Sequence, residues 1–446
     1  MCYTIPGKVF EISGKTAVID YFGEKRKAIN ELVDLKIGDY IYAQGGFVIN
    51  VIPEKEALQV LDDWRDIFFA LQRTDVRLSR LQLDDVGVDR SFTRILDKAA
   101  EARPLSREEL LTLIRTNNKK EMNLLFKVAN FLRQKYLKNA CCVHGIIEFS
   151  NYCKNDCVYC GIRKSANIPR YRMTDAEILK VVDEAVNKYG FKALMLQSGE
   201  DPEFPVERLA KLIREIKKRN AVLIFVSVGE IGKQGLKELY DAGARGLLLR
   251  FETSNSDLYS KLHCGDKLSE RLQDIKDAYK IGYLILTGGL IGLPASLASP
   301  ASRQGGLRSG PPGGPGQTEE DLLNDILLTK ELHAEMFSFG PVLPEGPLTE
   351  LVLKVLAVSR IVDPKNAKIV VTTGFETLEK EARSLGLMAG ANSMMLNVTP
   401  VKYRGLYSIY PGRAHEKEEI DTQIKEAVDL LYSLGRAPTD IGISQN

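Results

Sequence analysis

The chain has 446 residues, 44% of them apolar and 27% charged, with 61 basic and 59 acidic side chains and a net charge of +2. That length allows two domains, one of them large, and the composition is ordinary for a globular protein. The evenly mixed charge excludes a basic face for nucleic acid, so no nucleic-acid partner is expected. No apolar segment follows a basic N-terminal start and no run approaches about 18 apolar residues, which predicts no signal peptide, no membrane span and a cytoplasmic protein.

Residues 1–75 read as short strands and a helix. The strands are Lys8 to Ile12, Thr16 to Tyr21, Lys25 to Ile29, Asp39 to Ala43 and Phe47 to Ile52, punctuated by Ser13-Gly14, Phe22-Gly23, Ile37-Gly38 and Gly45-Gly46. Short strands with turns at such intervals predict a small all-β, OB-like barrel. Ala57, Val60, Leu61, Trp64, Ile67, Phe68 and Leu71 then recur at helical spacing. Residues 76–142 read as a helical lead-in, with Ser106 and Glu109 forming a capping box. Cys141 and Cys142 are adjacent, so their side chains diverge, and they are taken as structural thiols.

From residue 143 to about 410 strands alternate with helices. The strands expected are Gly145 to Phe149, Ala193 to Gln197, Val222 to Val228, Gly246 to Arg250, Tyr283 to Thr287, Met336 to Phe339, Lys368 to Thr372 and Ser393 to Asn397. Thr174 with Glu177, and Thr318 with Asp321, are capping pairs that open intervening helices. Eight βα units predict an α/β fold, a parallel (β/α)8 barrel whose chemistry lies at the C-terminal strand ends. Residues 295–315 break the pattern: rich in Gly, Pro, Ser and Ala, without acidic residues, they read as a disordered insertion. Residues 411–446 read as a C-terminal helical extension.

Directly after the first of these strands stand Cys153, Cys157 and Cys160, a CxxxCxxC loop. Three thiolates converging on one metal centre are an unusual set. A structural zinc site would draw a fourth ligand from nearby, yet the next cysteine is Cys264. A [4Fe-4S] cluster held by three thiolates leaves one iron open for an outside ligand. The cysteines are therefore read as thiolates in a reducing compartment, and such a cluster would be oxygen-sensitive.

This spacing, with an aromatic (Tyr159) before the last Cys, resembles the radical S-adenosylmethionine (SAM) superfamily. The flanks Ile147-Glu148-Phe149-Ser150-Asn151, Cys160-Gly161-Ile162-Arg163, Arg170-Tyr171-Arg172-Met173-Thr174 and Leu196 to Asp201 are similar to the HydE-type maturase of [FeFe]-hydrogenase, from about residue 84 onward. The resemblance implies that the open iron chelates SAM. It implies that Ser198, Gly199 and Glu200 meet the ammonium group of SAM, that Arg250 and Glu252 lie near it, that Arg271 takes its carboxylate, and that Gly292 lets backbone approach adenine. Gln197, Ser227, Thr372 and Thr373 are polar residues in apolar strands, assigned to the barrel floor and substrate side. Tyr403 matches a family aromatic. The four histidines, His144, His263, His333 and His415, are scattered and are read as structural or surface groups. Biotin synthase would need further cysteines that this chain lacks.

Residues 1 to about 75 resemble the HypC-type hydrogenase maturation chaperone through Met1 to Val9, Ile37-Gly38-Asp39-Tyr40 and Gly46-Phe47. Cys2 maps onto that family's iron ligand, but Gln44 stands where the family has His. An amide is a poor iron ligand, so this domain either holds iron or serves as a docking module. Together the resemblances imply reductive cleavage of SAM to a 5′-deoxyadenosyl radical during assembly of the diiron subsite of the [FeFe]-hydrogenase H-cluster. The expected partners are a small cysteine-bound iron precursor carrying carbonyl and cyanide, and other maturation proteins or a hydrogenase precursor. A methylornithine-synthase-like amino-acid mutase and a non-catalytic iron-fragment scaffold are the alternatives.

Overall fold

The computed structural model describes residues 3–31, 33–81, 87–263, 265–294, 316–343 and 348–441. At the N-terminus β1 (Gly7–Ser13), β2 (Thr16–Tyr21), β3 (Glu24–Ile29), β4 (Tyr40–Gln44) and β5 (Phe47–Ile52) close a small barrel in the order β1-β2-β3-β5-β4. Side chains alternate along a strand, so Val9, Ala17, Ile19, Ala28, Ile41, Ala43 and Val48 fill its interior. Helix α1 (Glu54–Leu78) lays Trp64, Phe68 and Leu71 on that core, and Tyr3 meets Phe68 edge-on at 5.0 Å.

Helices α2 (Arg90–Ala100), α3 (Arg107–Arg115) and α4 (Lys119–Leu137) lead into the large barrel, with Ser106 and Glu109 capping each other's backbone at the start of α3. A buried ion network ties this segment to both ends of the chain. Arg133 donates to both Asp75 carboxylate oxygens at 2.8 and 2.7 Å, and Arg436 lies 3.3 Å from the same carboxylate.

Eight parallel strands form the large barrel: β6 (Ala140–Ser150), β7 (Ala193–Ser198), β8 (Leu223–Ser227), β9 (Ala244–Leu248), β10 (Leu284–Thr287), then β12 (Met336–Phe337), β14 (Lys368–Ile369) and β15 (Ser393–Asn397), with a small ribbon of β11 (Leu290–Ile291) and β13 (Gly340–Pro341) beyond their ends. A bridge between Val370 and Ser393 joins the last two to close the ring. The residues expected at the ends of two strands lie just past them. Arg250 follows β9, where Glu252 turns to φ +66, and Thr372 follows β14 as the cap of a short helix, Thr373–Leu378. The C-terminal extension is helical only in part: after helix Ile420–Ser433, β16 (Ala437–Pro438) pairs with the start of β6.

The small barrel sits against the N-terminal strand ends of the large one. Phe47 and Ile49 join Ile146, Met195, Phe225 and Met336 in one apolar cluster. At Gly45, φ is +56, and a Cβ there would come within 2.7 Å of Leu223 and 2.9 Å of Leu284. The turn between β4 and β5 therefore seats directly on the barrel floor. The opposite, C-terminal end is left for chemistry.

Candidate active site

The cysteine loop leaves the C-terminal end of β6 and is held by backbone-directed side chains. Asn151 donates to the carbonyls of Pro169 and Leu406 and accepts from the Tyr171 N–H. Arg170 donates to the carbonyls of Asn151, Ile162, Arg163 and Ala166, so one guanidinium closes the loop. Asp201 accepts two bonds from Arg172, at 2.7 and 2.9 Å, and one from Ser150. These contacts give the flanking motifs a physical purpose: they fix where the thiols stand. Gly199 provides the space, because a Cβ there would press into the Tyr152 carbonyl oxygen and come within 2.8 Å of Cys153 Cβ.

The thiols face a cavity of about 320 Å³, within the range of small-molecule pockets. Burial pushes all three thiols up, Cys160 to about 12, and neighbouring cysteines raise Cys157 and Cys160 further. Without a metal they hold their protons; a metal centre has to displace them. Cys157 Sγ lies 3.4 Å from His263 Nδ1, whose Nε2 is 3.2 Å from the Tyr159 hydroxyl, and Tyr159 donates to Glu252 at 3.2 Å. Burial first, and Arg271 second, lower His263 to about 3, so its imidazole is neutral. Arg250 pairs with Glu252 and Arg271 with Glu230, each at 2.8 Å.

The structure brings Cys153, Cys157, Tyr159, Cys160, Gln197, Ser198, Gly199, Glu200, Ser227, Arg250, Glu252, Arg271, Thr372 and Thr373 to the wall of this cavity. Gln197, Ser227 and Thr372 lie at or beyond C-terminal strand ends, on the side away from the floor. Two expected residues are elsewhere. Tyr403 stacks on Tyr171 at 4.7 Å and donates to Glu177, and Gly292 turns its N–H to Gln317 Oε1 at 2.8 Å. Cys2 lies outside the described residues, as do Cys264 and 295–315.

Among the lining residues that the sequence did not single out are His263, Tyr407, Tyr410 and Arg413. Reading all four histidines as structural is thus corrected for His263, which belongs to the site. Arg413 reaches the wall from beyond the last strand and is held by Glu148, itself wholly buried. The Glu148 in the first strand, a charge in an apolar run, was the one available signal for it.

These residues fit the group that the cysteine spacing implies. Three thiols share one cavity with no fourth cysteine among its described lining residues, which suits a cluster with one open iron. Arg250 Nε and Arg271 Nε are buried without hydrogen-bond partners, ready for an anionic group of a ligand.

Residues 1–64 match the HupF/HypC family and residues 147–296 the Radical SAM superfamily. The [FeFe] hydrogenase maturase subunit HydE of Thermotoga maritima is 35% identical over 354 residues, covering 77% of this chain and 94% of that protein. The 3-methylornithine synthase of Methanosarcina acetivorans is 28% identical over 349 residues, covering 77% and 93%. The crystal structure of methylornithine synthase (PylB) superposes with a TM-score of 0.62 at 26% identity, over 77% of this chain and 97% of that one. No helix among the described residues is long and apolar enough to cross a membrane. At 35% identity across 94% of the Thermotoga maritima HydE, and with a Radical SAM superfamily match over its barrel, the chain belongs to the HydE family of radical SAM enzymes and carries a HupF/HypC-family domain at its N-terminus.

Proposed function

We propose that this enzyme acts in building the diiron subsite of the [FeFe]-hydrogenase H-cluster, on a small cysteine-bound iron precursor bearing carbonyl and cyanide. The observation that carries the reading is the pairing of a HydE-family barrel with a HupF/HypC-family domain seated on its floor. Other maturation proteins or a hydrogenase precursor are the partners this fusion fits.

In this reading Cys153, Cys157 and Cys160 hold a [4Fe-4S] cluster. With SAM bound, that centre supplies a 5′-deoxyadenosyl radical. Ser198, Gly199 and Glu200 offer oxygen acceptors for the ammonium group of SAM, and Arg271 a guanidinium fork for its carboxylate. Tyr159, Glu252 and Arg250 add polar and charged groups to the same wall. Deeper in, Thr372 Oγ1 and Arg250 Nη1 converge where Gly340 lacks a side chain: a Cβ there would lie 3.0 and 3.5 Å from them. That cradle suits the carboxylate of a cysteine-type substrate, with Gln197, Ser227 and Thr373 beside it. The apolar plug at the floor keeps bulk water from the reacting end, which protects a radical from unwanted hydrogen donors.

An amino-acid rearrangement is the alternative, supported by the 28% identity to 3-methylornithine synthase. The test is 5′-deoxyadenosine formation by anaerobically reconstituted, dithionite-reduced enzyme with SAM, with and without a ferrous cysteine carbonyl cyanide complex. Turnover that rises with the iron complex and vanishes in Cys157→Ala supports the proposal. Turnover stimulated only by free amino acids overturns it.

A further inference from the structure

A second group of metal-ligating side chains lies at the opposite end of the barrel from the cysteine loop. Cys142 and His144 are successive inward positions of β6, and Asp440 enters beside them from the segment after β16. They are 3%, 4% and 1% exposed, and one ligand atom of each lies within 4.8 Å of the others. A small cavity of about 10 Å³, the room of one water, touches Cys142, His144 and Gln44 of the small barrel.

Three features distinguish this group from an ordinary buried polar cluster. His144 Nε2 lies 3.5 Å from Asp440 Oδ2, long for a hydrogen bond and close to about 3.4 Å, the edge of a tetrahedron with metal–ligand bonds of about 2.1 Å. Asp440 Oδ2 is already held by the Val143 N–H and the Thr439 hydroxyl, each at 2.8 Å, so the carboxylate is oriented independently of the imidazole. Gln44 Nε2 is buried with no hydrogen-bond partner, an expensive arrangement that a water in the cavity would relieve. Charge also balances. Lys368 and Glu335, which line the same cavity, are paired with each other, so a thiolate and a carboxylate together match one divalent ion.

We propose that Cys142, His144 and Asp440 bind a divalent late first-row metal ion of the Zn(II)/Co(II) class, with a water in the Gln44 cavity as the fourth ligand. One thiolate, one imidazole and one carboxylate suit such an ion. The ion joins the first barrel strand to the C-terminal segment directly beneath the turn by which the small barrel docks. The site is separate from the cysteine loop and does not use Cys2.

The probe is Co(II), added anaerobically to the full-length chain carrying Cys153→Ala, Cys157→Ala and Cys160→Ala so that the cysteine loop cannot take it. The expected result is one Co(II) per chain with tetrahedral ligand-field bands and a thiolate charge-transfer band. Cys142→Ser should abolish the charge-transfer band, Asp440→Asn should weaken binding at least about tenfold, and Cys2→Ser should leave both unchanged. X-ray absorption of the Zn(II) form of the same chain gives a second reading that needs no further variant: one sulfur among nitrogen and oxygen neighbours is expected. No stoichiometric ion in a chain that is folded by circular dichroism and gel filtration overturns the proposal. So does a shell of several sulfurs, or an unchanged cobalt spectrum in Cys142→Ser and His144→Gln.

Discussion

Removing residues 295–315 should leave the enzyme folded and active. The ends of that stretch are already joined: the Gln317 N–H donates to the Leu293 carbonyl at 2.9 Å, Gln317 Nε2 donates to the Leu290 carbonyl at 2.9 Å, and Gln317 Oε1 accepts from Gly292. Splicing Pro294 to Gly316 creates Leu-Pro-Gly-Gln, in which the Leu293 to Gln317 bond becomes the i to i+3 bond of a β-turn. Pro at the second position and Gly at the third are what a type II turn requires. The deletion shortens the closed loop about eightfold. If the 21 residues contribute only chain length, loop-closure entropy assigns a gain of about 2 kcal/mol to the shorter form. The assays are urea unfolding and 5′-deoxyadenosine formation by the reconstituted protein, with SAM cleavage expected within about twofold of the parent. A destabilised variant would show that the neck is not a ready-made turn. A stable variant that no longer cleaves SAM would show that the segment takes part in the reaction.

Gly199→Ala should displace the Tyr152–Cys153 backbone by about 1 Å, because ordinary contact distance cannot otherwise be restored; a shift of that size at a reacting centre lowers turnover about a hundredfold, and near-parental turnover with normal iron content would refute it. Asp75→Ala leaves Arg133 and Arg436, both fully buried, without their carboxylate, and should cost about 3–5 kcal/mol in denaturant unfolding; a loss below about 1 kcal/mol would mean the guanidiniums are satisfied by their other partners. Burial pushes Asp325 up to about 7 against the opposing hydrogen bonds from Ser254. The folded state therefore binds the extra proton, and Asp325 makes the protein less stable as pH rises from about 4 toward 7. Asp325→Asn should flatten that part of the profile, and parallel stability profiles for the two proteins would contradict the assignment.

Much of the architecture was legible along the chain because it rests on local patterns. Strands buried on both faces read as apolar runs, which is why Ser393–Asn397 falls on its expected residues. The pairs Thr174/Glu177 and Thr318/Asp321 form the reciprocal caps that their spacing implies. The strand ends were less legible, since a ladder stops where backbone geometry changes, as at Glu252, and residue type does not announce that.

The sequence by itself determined the two folding units, the alternation of strands and helices, and the three cysteines, because period, capping and ligand spacing are properties of neighbouring residues. Only the tertiary structure decided which distant side chains meet. His263 reaches Cys157 across 106 positions, and Arg413 meets Glu148 across 265. Tyr403 turns away from the cavity because Tyr171 offers its ring a stacking partner. Cys142, read as a structural thiol, stands with His144 and Asp440 because a parallel barrel sends alternate side chains of its first strand inward, where the end of the chain returns to meet them.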